Sequence, residues 1–108
     1  MIFQETAAQF ENSGGGTDDF KRLYKDAFEL MKTDSENAGL YFVIGVAAHA
    51  YVLRYEDQAV TTELAESAKA TLVGFCQKIC QALAADPAKR LSLLGEIAND
   101  YQFRVTSF

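Results

Sequence analysis

His49 is the only histidine of the chain, and Cys76 and Cys80 are its only cysteines. Thiols four residues apart on one helix share a face, one turn apart. With an imidazole from a neighbouring helix they could bind a soft metal. Tetrahedral zinc takes four protein ligands, or three and an open position, and no further cysteine pair or histidine is present to complete such a set. The same helical geometry holds the two Cβ vectors nearly parallel, which is poor for a disulfide. Two free thiols in a reducing compartment are therefore expected. A nucleophilic thiolate needs an accessible, electropositive setting, whereas these cysteines stand among Phe75, Ile79 and Leu83. Both are expected as small core hydrophobes, no cofactor is expected, and His49, Cys76 and Cys80 are kept as the metal-binding alternative.

His49 lies in the most apolar stretch, "LYFVIGVAAHAYVL". A small acidic bundle with one histidine on a central helix resembles the histidine phosphotransfer domains in architecture, and that resemblance would make His49 a phosphate acceptor. Those domains typically carry a lysine three residues after the histidine and then a glycine, so that a phosphate can approach. Here Val52 and Leu53 hold those places. A phosphorelay or small-ligand-sensing role for His49 is one alternative; an imidazole packed in the core is the leading expectation. The paired acids Asp18-Asp19 and Glu56-Asp57 fall at helix ends, where capping is expected to account for them without catalysis. Gly14–Gly16 lacks the Lys-Ser/Thr of a phosphate-cradling loop. No catalytic constellation assembles, and the chain is expected not to be an enzyme.

The elements that position these residues are helical. Phe20, Leu23, Tyr24, Ala27, Phe28 and Met31 recur at helical spacing, which predicts an amphipathic helix over 18–32. A second helix, over 36–56, is apolar nearly all round, the mark of a helix buried centrally or between protomers. Thr61 or Thr62 opens a third, with a seam of Ala65, Ala68, Leu72, Phe75, Ile79 and Leu83. "ADPAKR" announces a fourth: Asp86 as cap and Pro87 at the first helical position. Its stripe is Leu91, Leu94, Ala98 and Tyr101, with Ile97 beside it. Residues 2–12 could form a short helix, and "SGGG" (13–16) follows as a flexible hinge. The expected fold is all-α: a four-helix up-down bundle (17–108) with a flexible N-terminal arm (1–16), self-associating through the apolar second helix.

The net charge of −5, from 15 acidic and 10 basic residues, disfavours phosphate-neutralising nucleic-acid binding. The longest apolar run, 38–53, falls short of the ~18 residues of a membrane span. No signal peptide is evident, and a cytoplasmic setting without membrane contact is expected. The resulting expectation is a non-enzymatic protein-binding module, of the inhibitor or immunity type, a chaperone or an adaptor, acting on a basic partner. Asp18, Asp19, Glu56, Asp57, Glu63 and Glu66 would meet that partner. Tyr51 and Tyr55 would add apolar anchors, with Phe3 and Phe10 contributed by the arm.

Overall fold

The computed structural model describes residues 2–105 and 108; Met1, Thr106 and Ser107 lie outside the described residues. Five α-helices follow in order: α1 (Phe3–Glu11), α2 (Thr17–Thr33), α3 (Ala38–Tyr55), α4 (Thr62–Leu83) and α5 (Pro87–Arg104), with a 3-10 turn at Ser35–Asn37. No strand occurs among the described residues. The count is five, where four were expected, because the N-terminal segment folds as a helix of its own. Phe3, Thr6 and Phe10 share one face of α1 and are buried against α2 and α4. The glycine run that follows is a fastened turn. Gly15 takes a left-handed φ of 75°, which glycine adopts without a Cβ penalty. Lys69 of α4 reaches back and donates to the Ser13 carbonyl at 2.7 Å.

Helix α2 starts one residue earlier than the expected 18–32: Gly16 is the N-cap, and its N–H donates to Asp19 Oδ2 at 3.0 Å. Phe20, Leu23, Ala27 and Leu30 form its buried stripe. The cap of α4 is Thr61, which accepts from the Leu64 N–H at 3.1 Å. Asp86 caps α5 by accepting from the Lys89 N–H at 2.9 Å, with Pro87 first in the helix.

Helix α3 is central and touches α2, α4 and α5. Leu40, Tyr41, Ile44, Ala47, Ala48, Tyr51 and Val52 point inward. Together with the preceding turn it spans 21 residues, long and apolar enough by composition to cross a membrane. The sequence reading counted a shorter run. Its pairing with α2 is tight because Gly45 has no side chain. A Cβ built there would lie 2.3 Å from Cε1 of Phe28, so the Phe28 ring rests directly on the α3 backbone. Phe20 stacks on Tyr51 further along the same seam, with centroids 4.0 Å apart.

Helix α5 is rotated relative to the expected stripe. Leu93 and Ile97 are its buried residues, while Leu91 is 70% exposed and Ala98 is exposed. Polar contacts account for this rotation. The Arg90 guanidinium donates to the carbonyls of Ala82 and Ala85, which end α4, and to Asn37 Oδ1, at 3.1, 3.0 and 3.0 Å. Lys78 of α4 pairs with Asp100 at 3.4 Å. These ties hold the Leu93/Ile97 side toward the core.

Gly45→Ala should destabilise the protein by about 1–3 kcal/mol in chemical denaturation, since the Phe28 ring must move. In a Phe28→Ala background the same change should be neutral or stabilising by up to ~1 kcal/mol, the helix preference of alanine over glycine. Thr6 provides a test of opposite sign. Its buried hydroxyl has no hydrogen-bond partner, so Thr6→Val, which keeps the shape, should raise stability by about 1 kcal/mol in urea melts.

Candidate functional site

The residues with reactive side chains do not converge. Cys76 is buried and Cys80 half-buried; both face α1, lining a groove of about 390 Å³ with Ala7, Glu11 and Gln77. Burial pushes both thiols above their ordinary pKa, and for Cys76 the neighbouring Cys80 and Glu11 add to the rise. His49 lies on the α2 side of α3. It is half-buried rather than a core residue, with its ring 4.6 Å from that of Tyr24 and 6.4 Å from that of Phe28. Among the described residues no group of three or more His, Cys, Asp or Glu side chains could hold a metal ion. The set His49, Cys76 and Cys80 is therefore divided between two sides of the bundle.

Three of the expected apolar anchors are structural. Phe3 and Phe10 are buried because they fasten α1: the Phe3 ring meets Tyr41 and the Phe10 ring meets Phe20 edge-on. Tyr51 is buried between the Phe20 ring and Phe108. Tyr55 is half-buried beside Tyr51, with the Arg54 guanidinium 5.6 Å over its ring.

The acidic candidates gather at one end of the bundle, where α2 begins, α3 ends and α4 begins. Asp18, Glu56, Asp57, Glu63 and Glu66 are exposed there. Asp19 is occupied as the cap partner of Gly16. Glu56 forms an ion pair with Lys21 across the α2–α3 seam; the pairing raises the lysine's pKa.

Sequence reasoning placed α3 inside the molecule but did not identify its outer side. That side carries Phe42, 53% exposed, and Leu53, 72% exposed. Between them stand the half-buried Val43, Val46 and Ala50, with Gly39 exposed at the N-terminal end. No charged side chain interrupts this stripe of about four turns. Leu94 of α5 borders it, 3.2 Å from where a Gly39 Cβ would stand. Isolated exposed apolar residues are ordinary on a protein surface; a continuous stripe along a helix marks a place of interaction. Residues 37–53 carry no charge on any side, so the sequence holds no signal that marks this side as the open one.

A second feature hidden in the sequence is the junction that sets the start of α3. Asp34 accepts from the Tyr41 hydroxyl at 2.6 Å and from Asn37 Nδ2 at 2.9 Å. The Tyr41 and Asn37 bonds hold the Asp34 carboxyl below its ordinary pKa. Burial, and then the carboxylate beside it, push the Tyr41 phenol up. Through Asn37 and Arg90 this junction ties α3 to α4 and α5. Comparison with protein families, curated proteins and solved structures finds no match to this chain.

Thiol labelling provides a check on the placement of the cysteines. At mildly alkaline pH iodoacetamide should modify Cys80 slowly. It should modify Cys76 at least about a thousandfold more slowly than a free thiol, at a rate that follows global unfolding. Rapid modification of Cys76 in the native protein would contradict the packing of α1 on α4.

Proposed function

We propose that this protein is a non-enzymatic interaction module that docks other protein surface through the outer side of α3 and presents its acidic end to a basic partner. The observation that carries the reading is the uncharged stripe from Gly39 to Leu53, left uncovered on the helix that is otherwise the most enclosed. Desolvating Phe42 and Leu53 on a partner would release apolar surface from water, at roughly 25 cal/mol per Å². The stripe's lack of charge keeps the cost of that desolvation low. The exposed acids Asp57, Glu63 and Glu66 at the end of the bundle support a basic partner, through faster encounter and correct orientation more than through affinity. A reducing, cytoplasmic setting is supported by the two free thiols. An inhibitor, a chaperone or an adaptor would each use such a surface.

The test compares immobilised full-length protein with a Phe42→Glu/Leu53→Glu variant in extracts of the native cell. Both positions are exposed, so the variant should keep its helicity and melting temperature. The wild type should retain a defined set of proteins that the variant loses by tenfold or more. A second variant, Asp57→Lys/Glu63→Lys/Glu66→Lys, should lose the basic members of that set, most clearly at low salt. Equal retention by the wild type and both variants would overturn the reading.

A further inference from the structure

We propose that the outer side of α3 is occupied by a second copy of this chain, with the two α3 helices antiparallel about a two-fold axis at Val46. This rests on the reading of that side as a docking surface and adds its occupant. The argument lies in the order of large and small residues. An antiparallel pair centred on Val46 sets each position before it against the position equally far after it in the partner. Phe42 then meets Ala50, and Leu53 meets Gly39. Each large, exposed side chain is opposed by a small one, and Val46 meets its own copy on the axis. The exposed Gly39 backbone, beside Leu94, receives Leu53 of the partner subunit. Knob-against-gap pairing of this kind lets two helices approach to the 8–10 Å of close packing. A parallel pair would set Phe42 against Phe42 and Leu53 against Leu53, leaving Gly39 and Ala50 facing empty space.

Charge selects the same orientation. Arg54 is exposed in the last turn of α3, and Glu36 is exposed in the 3-10 turn that precedes the helix. Antiparallel pairing brings each Arg54 beside the Glu36 of the other copy, whereas parallel pairing brings like against like. Because the arrangement is two-fold, every contact occurs twice.

Sedimentation equilibrium of the purified full chain, from micromolar to millimolar concentration, should show a monomer–dimer equilibrium. Leu53→Glu removes two contacts at once and should weaken the dimer by about 30-fold or more with an unchanged melting temperature. Orientation is read by oxidative cross-linking in a Cys80→Ala background. Val46→Cys should form a covalent dimer by itself. Phe42→Cys and Ala50→Cys should cross-link only when mixed, because in the antiparallel pair two copies of position 42 are about 12 Å apart along the axis, beyond the reach of a disulfide. A monomer at every concentration, or a Phe42→Cys chain that cross-links to itself, would overturn the pairing. The purified sample holds no other protein, so a monomer here leaves the extract experiment to decide separately whether α3 docks a different partner.

Discussion

The approach of Phe28 to the α3 backbone at Gly45 is the contact on which the other arrangements depend. A side chain at Gly45 would hold α2 and α3 apart by the thickness of a methyl group. With none there, the two helices lie close enough for Phe20 to stack on Tyr51 and for Lys21 to reach Glu56 across the seam. The same approach carries Tyr24 and Phe28 up beside His49. That closes the α2 flank of α3 and confines what remains of its apolar surface to a single stripe. One missing side chain thus sets both the close approach of α2 to α3 and one border of the surface proposed for docking.

A helix that is apolar nearly all round cannot be covered by one neighbour. Helices α2, α4 and α5 each take part of α3, and the groove left between α2 and α4 is closed by α1. Deleting a buried phenylalanine side chain typically costs about 3–5 kcal/mol, against a total stability of about 5–15 kcal/mol for a domain. Phe3 and Phe10 therefore make α1 a structural part of the bundle. Where α3 begins, one guanidinium on Arg90 satisfies the carbonyls of Ala82 and Ala85 and reaches Asn37. Chain segments far apart in sequence are joined there by polar contacts, which fix how α5 is turned.

What was legible in the sequence follows from where the periodic signal was strong. Phe20, Leu23 and Ala27 in α2 and Ala68, Leu72, Phe75 and Ile79 in α4 were readable as buried because polar residues mark the opposite faces. Thr61 and Asp86-Pro87 were readable as helix starts because their chemistry is local. In α3 apolar residues surround the axis, so periodicity cannot distinguish the covered side from the open one; Phe42 and Leu53 read the same as Ile44 and Tyr51. The rotation of α5 was hidden for another reason: Leu91 and Leu93 are equally apolar, and the choice between them is made by Arg90 and Lys78, whose partners lie on other elements. Likewise, the spacing of Cys76 and Cys80 shows that they share a face but not which face meets α1, and so cannot show that His49 is on another side.

The stripe and the acidic end are positioned so that one does not obstruct the other. The acids stand where α3 ends and α4 begins, past Leu53, and are not among the positions that face a second copy in the proposed pair. Antiparallel pairing sends the two C-terminal ends of α3 in opposite directions, so the acidic ends fall at opposite poles of the dimer. Each pole is then open to a basic surface, and the like charges of the two copies are kept far apart compared with the Debye length of about 8 Å at physiological salt. A parallel pair would crowd both acidic ends together and add their repulsion to the misfit of Phe42 and Leu53. Size matching along α3 and the opposite charges of Arg54 and Glu36 near its ends favour the same two-fold arrangement, and the separation of the acidic poles follows from it.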